Sequence, residues 1–227
     1  EIPLERLVGV TGVSGSGKST LVRDCLYLAL ARAKGHPEGL PGAHEALLGA
    51  DLIGDALLVD QSPIGRTSRS NPASVVGALD PLRKALAATP VARERGYTAG
   101  TFSFNSGNGR CPTCGGSGFE HLEMQFLADV YLRCPDCDGR RYRAPILEVT
   151  LDPQGDGRPL SIADCLDLTV TQACERFAGH REVLRALEPL QAVGLGYVRL
   201  GQPVPSLSGG EAQRLKLAGH LARSTRT

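Results

Sequence analysis

The chain has 227 residues, enough for one good core or two small ones, and its 25 Lys+Arg against 24 Asp+Glu leave a formal charge of +1. A balance this close to zero excludes a global basic field, so any nucleic-acid contact must come from a local basic surface. No window approaches the ~20 apolar residues that span a bilayer, and no signal-peptide pattern opens the chain, which argues against a membrane or secreted protein.

In chain order, Leu7-Val8-Gly9-Val10 reads as a short buried strand running into a glycine-rich turn from Gly12 to Gly17. Leu21, Val22, Cys25, Leu26, Ala29 and Leu30 recur at helical spacing, predicting a helix from Ser19 to about Lys34 with Gly35 at its stop position. Residues 35–50 read as a loop or short helix, and Ala56-Leu57-Leu58-Val59 as a second buried strand ending at Asp60-Gln61. Proline and glycine break residues 62–81, where the chain is expected to leave the first domain, and a helix follows near Pro81–Ala88. Leu122, Met124 and Phe126 alternate as in one strand of a hairpin, and Ile146–Leu151 is strand-like. Residues 161–193 are mostly helical in pattern, Tyr197–Leu200 reads as a strand, and a last helix begins at about Glu211. Glu1 stands directly ahead of a strand and the only methionine is Met124, so the chain is expected to be a piece of something longer.

Gly12-Val13-Ser14-Gly15-Ser16-Gly17-Lys18-Ser19 matches the phosphate-loop pattern G-x-x-x-x-G-K-[ST]. Its glycines let backbone N–H groups turn inward around phosphate oxygens, and the following helix points its positive end at the same anion. Lys18 would reach the β- and γ-phosphates of ATP or ADP, and the hydroxyl of Ser19, next to Thr20, would hold Mg²⁺. The plain alternative is an ordinary glycine-rich strand-to-helix turn. Ser208-Gly209-Gly210-Glu211, inside Leu207–Arg214, offers a second anion site of a hydroxyl and glycine amides at a helix N-terminus; as a bare pattern it is also a helix cap.

Cys111-Pro-Thr-Cys114 and Cys134-Pro-Asp-Cys137 lie nineteen residues apart, a C-x₂-C-x₁₉-C-x₂-C array with the spacing of a four-thiolate zinc site. Four sulfurs would close the shell around Zn²⁺, making it structural and bringing the formal balance to about −1. The alternatives are a redox CxxC, which wants one pair at a strand–helix junction, or two accidental pairs. This cysteine usage fits a reduced cytoplasmic setting better than a disulfide scaffold. Arg66 and Arg69, just after the second expected strand, and Arg110, Arg140, Arg141 and Arg143, beside the knuckles, are candidates for phosphate contacts or solvated surface arginines.

Leu207-Ser208-Gly209-Gly210-Glu211-Ala212-Gln213-Arg214 resembles the LSGGQ-type signature of ABC ATPases. That resemblance implies ATP sandwiched head to tail between two nucleotide-binding domains, with Gln61 at the position of the glutamine that senses Mg²⁺ and the attacking water. An ABC enzyme also needs a strand ending in Asp-Glu. Leu57-Leu58-Val59-Asp60 imitates it but precedes the signature and is followed by Gln61, and the thirteen residues after Arg214 hold no acidic side chain. The catalytic carboxylates and the switch histidine are therefore absent, and this chain alone is expected not to hydrolyse ATP.

More specific runs are Val59-Asp60-Gln61-Ser62-Pro63-Ile64-Gly65-Arg66-Thr67, Arg69-Ser70-Asn71-Pro72, Phe102-Ser103-Phe104-Asn105, Gly109-Arg110-Cys111, Gly139-Arg140-Arg141-Tyr142 and Tyr197–Gln202. With these the chain resembles the UvrA family of the bacterial nucleotide-excision nuclease over nearly its whole length. The resemblance implies an α/β phosphate-loop ABC ATPase core (1–62 and 197–227) with an inserted, mostly helical signature domain (63–196) that carries the four-cysteine zinc module at about 100–143. It further implies recognition of lesions in double-stranded DNA, a UvrA dimer partner and loading of UvrB. Gln125, Ala128, Ser68 and Ser106-Gly107-Asn108 depart from the common family wording and point equally to a divergent paralogue, some of which protect against DNA-binding drugs. A zinc-stabilised DNA-binding or docking module without ATPase activity is the reading from a different class.

Overall fold

The computed structural model describes residues 1–60, 69–122 and 130–224. The chain divides into two compact units, Glu1–Asp60 and residues 61–227. Both helices and strands are present, but their distribution is uneven.

Unit 1 is built on one helix. A π-helical stretch, Thr20–Tyr27, runs directly into α1 (Leu28–Ala33), which buries Ala29, Leu30 and Ala31. It stops as expected at Gly35, whose φ of +83° lets the His36 amide return to the Ala31 carbonyl at 2.9 Å. A 3₁₀ turn follows at Ala50–Leu52. The strands expected at Leu7–Val10 and Ala56–Val59 do not form: among the described residues unit 1 contains no paired strand, and Leu7, Val10 and Leu57 are exposed. A parallel strand is held by neighbours on its edges and helices on its faces. Unit 1 supplies one helix and no second strand, so apolar sequence alone does not make the α/β core expected there.

Unit 2 holds the main core, centred on Leu82, Leu86, Phe102, Phe104, Tyr142, Ile162, Phe177, Leu187, Leu190, Leu200 and Leu215. Its helices begin where the sequence caps them. Asn71 caps α2 (Pro72–Val75) reciprocally with Ser74, and Thr89 caps α4 (Pro90–Glu94), which follows α3 (Leu79–Ala87). The hairpin of β1 (Phe119–Leu122) and β2 (Val130–Arg133) is antiparallel, pairing Phe119 with Arg133; Met124 and Phe126 lie outside the described residues. Beyond it come α5 (Ala144–Leu147) and the two-residue strands β3 (Thr150–Leu151) and β4 (Leu160–Ser161). The strand expected over Ile146–Leu151 forms only at its end, as β3; Ile146 and Leu147 belong to α5 instead, because Pro145 sits at a helix-opening position after Arg143.

Capping boxes Ser161/Asp164 and Thr169/Gln172 start α6 (Ile162–Asp167) and α7 (Val170–Arg176). α8 (Arg181–Ala192) packs on α7 and on α9 (Gly209–Ser224), and α9 also meets α2. Tyr197–Leu200 forms only an isolated bridge, Arg199 with Thr169. Residues 197–224 thus pack within the same unit as the helices before them.

Candidate functional site

The four cysteines come together in unit 2. Two short antiparallel contacts carry them: the Cys111 amide donates to the Arg141 carbonyl at 2.8 Å and the Arg143 amide to Gly109 at 3.0 Å. The hairpin closes the other side, where the Cys134 amide donates to Gly118 at 3.0 Å. Two glycines make the approach possible. A Cβ on Gly116 (φ +91°) would lie 2.1 Å from the Phe104 carbonyl oxygen, and one on Gly118 (φ +82°) 2.8 Å from that of Gly139. Gly116→Ala is therefore expected to destabilise unit 2 by about 2 kcal/mol or more, read as a lower urea midpoint.

The result is a cluster whose sulfurs all lie within 4.8 Å of one another. Sγ of Cys111 is 3.9 Å from that of Cys134, and Sγ of Cys114 is 3.7 Å from that of Cys137. These are not disulfides. Four thiolates about 2.3 Å from a central Zn²⁺ in tetrahedral array would stand about 3.8 Å apart, so the donor set fits the ion in number, type and spacing. Cys111, Cys134 and Cys137 are buried. The amides of Gly118 and Arg141 each donate to a sulfur, Cys114 and Cys137 respectively, at 3.3 Å. The Thr113 hydroxyl donates to the Asp136 carboxylate, tying the middles of the two knuckles together.

The electrostatics suit a cation. Burial pushes the thiol of Cys137 up to about 12 and that of Cys111 also upward. Burial acts on Cys114 too, but the amides of Gly118 and Gly116 outweigh it and bring that thiol down to about 7. One thiolate forms readily and then opposes the next; a divalent cation among them removes that opposition.

The phosphate loop lies in unit 1. Gly12, Gly15 and Gly17 all take positive φ, 155°, 81° and 82°. The ammonium of Lys18 folds across the loop, donating to the carbonyls of Gly12 at 2.8 Å and Val13 at 2.7 Å, with the Ser16 hydroxyl at 3.4 Å. Ser14, Ser16, Ser19 and Thr20 are exposed. Gln61, expected beside the magnesium ion, lies outside the described residues, as does Arg66.

The signature segment opens α9, and here the capping reading and the anion reading meet. The Glu211 carboxylate accepts from the Ser208 amide at 2.7 Å and from its hydroxyl at 2.9 Å, while the Glu211 amide reaches back to that hydroxyl at 3.4 Å. Sequence reasoning missed the outer half of this network. The Tyr197 hydroxyl donates to Glu211 at 2.7 Å and accepts from Arg214 at 3.2 Å, and Arg214 also holds the Gly194 carbonyl at 3.1 Å. Ser208-x-x-Glu211 was readable as a capping box, but nothing local announces Tyr197. The Tyr197 hydroxyl first, then Ser208, holds the Glu211 carboxyl below its ordinary value. A depressed carboxyl contributes stability above its unfolded value and loses it as pH falls, so acidification should fray α9 at its N-terminus. Ser208→Ala should lower the urea midpoint by an amount equivalent to about 1 kcal/mol.

The arginines separate. Arg141 is buried and spent inside the fold, so it is withdrawn as a DNA-phosphate candidate: a side chain without solvent access cannot meet a duplex. Arg140 pairs with Asp164 at 2.7 Å and reaches Ser161 at 3.3 Å, at the cap of α6. Arg110 and Arg143 donate to the carbonyls of Asn105 and Asn108, 3.2 and 3.3 Å, both in the loop before the first knuckle. The Arg69 guanidinium lies beside Gly115, just after that knuckle, where an added Cβ would meet its Nη2 at 3.2 Å. No helix among the described residues is long and apolar enough to cross a membrane.

Comparison with known proteins gives a consistent answer. No family model matches the chain. It is 52% identical over 222 residues to UvrABC system protein A of Thermus thermophilus, which covers 98% of this chain and 23% of that protein. It is 48% identical over 226 residues to UvrABC system protein A of Bacillus subtilis, with 99% of this chain and 23% of that protein covered. A crystal structure of UvrA2 from Deinococcus radiodurans superposes with a TM-score of 0.82 at 51% identity, covering 94% of this chain and 25% of that one. The chain thus spans about a quarter of the length of the relatives it matches.

Proposed function

This chain belongs to the UvrABC system protein A family, and from that premise we propose that it serves nucleotide excision repair as an ATP-binding, zinc-containing segment of a DNA-damage recognition ATPase. The observation that carries the reading is identity near 50% over 98% of the chain.

In this reading the amides from Ser14 to Ser19 cradle the phosphates of ATP or ADP, Lys18 meets the β- and γ-oxygens, and Ser19 with Gln61 serves Mg²⁺. Ser208, Gly209, Gly210 and Glu211 face nucleotide held by a second nucleotide-binding domain, and the ABC core is completed by partners that cover the exposed apolar residues of unit 1. Cys111, Cys114, Cys134 and Cys137 hold Zn²⁺, which supplies structure and leaves no open coordination position. Arg69, Arg110, Arg143 and the exposed half of Arg140 are the proposed phosphate contacts on a distorted duplex. A UvrA dimer partner and UvrB complete the assembly in a reduced cytoplasmic setting.

The test is ATP turnover by the full-length gene product with undamaged and damaged duplex at fixed salt. A lesion-dependent rate is the expected result; hydrolysis indifferent to any DNA overturns the repair role. The similarity to UvrA2 favours one second reading, a paralogue of the same design; its proposed role is protection against DNA-binding drugs. Restoration of drug tolerance, without restoration of ultraviolet survival, in a strain lacking the gene would select it.

A further inference from the structure

Arg141 puts a charge where charge is costly. Only 5% of it is exposed, and it makes no ion pair with a carboxylate among the described residues. Its Nη2 donates to the Gly201 carbonyl at 2.8 Å, its guanidinium carbon sits 5.1 Å from the Phe104 ring centroid, and Nη1 is buried without a partner. A carbonyl dipole and a ring face offset a desolvated cation only partly. Its backbone is left-handed as well, φ +72°, which costs a residue with a Cβ about 1–2 kcal/mol and costs glycine nothing. That conformation aims the Arg141 amide at Cys137 Sγ, a task glycine would perform with less strain. The arginine side chain must therefore return something that glycine does not.

What it can return lies four residues back. Four thiolates around a divalent ion carry two net negative charges in the same buried region, and the amides donating to them supply dipoles alone. The Arg141 side chain passes against Gly118, whose amide donates to Cys114 Sγ; burial pushes the Arg141 guanidinium down, opposed by Tyr142 and also by Cys114 and Cys137. Asp167 acts on it too, but its side chain is 71% exposed and faces Arg199 at 4.0 Å, so solvent and a second cation screen it.

We propose that Arg141 is the countercharge of the tetrathiolate cluster, a positioning residue that sets how firmly the two knuckles hold their metal ion while its Nη2 pins them to Gly201, seven residues before Ser208. The inference rests on the zinc reading above. It differs from a packing role in depending on charge.

The experiment uses the zinc-loaded full-length gene product and follows transfer of the metal to a chromophoric chelator. Arg141→Met and Arg141→Gln remove the charge, the glutamine keeping a donor for Gly201; Arg141→Lys keeps the charge and loses the planar fork. Arg133→Met removes a neighbouring cation that is 73% exposed, as the control. Zinc release should be about 10-fold or more faster in the two neutral variants, near the parent rate in Arg141→Lys, and unchanged in Arg133→Met. If methionine prevents folding, the glutamine and lysine pair decides alone. Equal release rates for Arg141→Gln and Arg141→Lys overturn the proposal. A parent protein that carries no zinc overturns the zinc reading itself, and this inference with it.

Discussion

Cys134→Ser should strip the metal from the protein. Its sulfur is fully buried and stands 3.9 Å from Cys111 Sγ, so the variant leaves three thiolates and a hydroxyl that binds zinc far more weakly. Structural zinc sites contribute on the order of 10 kcal/mol to the peptides that depend on them, and this cluster is anchored in a larger core. Gly116 lies against the Phe104 carbonyl, Phe104 stacks edge-on with Tyr142 at 6.4 Å, and the Tyr142 hydroxyl donates to Phe102 at 3.0 Å. Loss of the ion should therefore loosen residues 97–143 first and lower the melting temperature of unit 2 by on the order of 5–10 °C. Elemental analysis after dialysis against a mild chelator should fall from one zinc per chain to near none, with calorimetry reporting the melting shift. One zinc retained per chain would refute the four-thiolate assignment.

The same contacts show which parts of the molecule the sequence could reveal. Cys111, Cys114, Cys134 and Cys137 were legible because a tetrathiolate site is specified by residue type and local spacing, and the knuckle glycines stand beside them. One helix start, Ser208-x-x-Glu211, was legible for the same reason; Asn71-Pro72 reads as a break in the chain and instead opens α2, and the Ser161-x-x-Asp164 cap of α6 went unread although it too is written within four residues. Gly35 ended its helix as its position implied. Each of these signals is local.

What failed was non-local. Leu7–Val10 and Ala56–Val59 carry the apolar runs of buried strands, yet a strand exists only where another pairs with it, and unit 1 offers none among its described residues. Arg141 read as one of six surface cations, because nothing within a few residues says that its side chain crosses to Gly201, sixty positions on. Tyr197 likewise met Glu211 and Arg214 only in three dimensions. The family runs around Cys111 and Tyr142 did mark the module as a whole, and the relatives at about 50% identity bear that recognition out.

Lys18→Ala should remove most of the nucleotide affinity while leaving the fold in place. The two effects separate because of where the ammonium sits. Its partners are the carbonyls of Gly12 and Val13 and the Ser16 hydroxyl, all within six residues on an exposed loop, so water replaces the lost bonds at little expense to stability. A phosphate offers the same ammonium a charged acceptor instead of a carbonyl, and charge-assisted bonds of this kind contribute roughly 1.5–3 kcal/mol. Affinity for ATP should fall about 10- to 100-fold, measured by calorimetric titration of the full-length gene product with Mg²⁺ present. The unfolding midpoint without nucleotide should move little, because the partners of Lys18 are atoms of its own exposed loop. Nucleotide affinity unchanged by the substitution would remove the phosphate-loop assignment. A large fall in the unfolding midpoint would instead recast Lys18 as a structural clasp on its own loop.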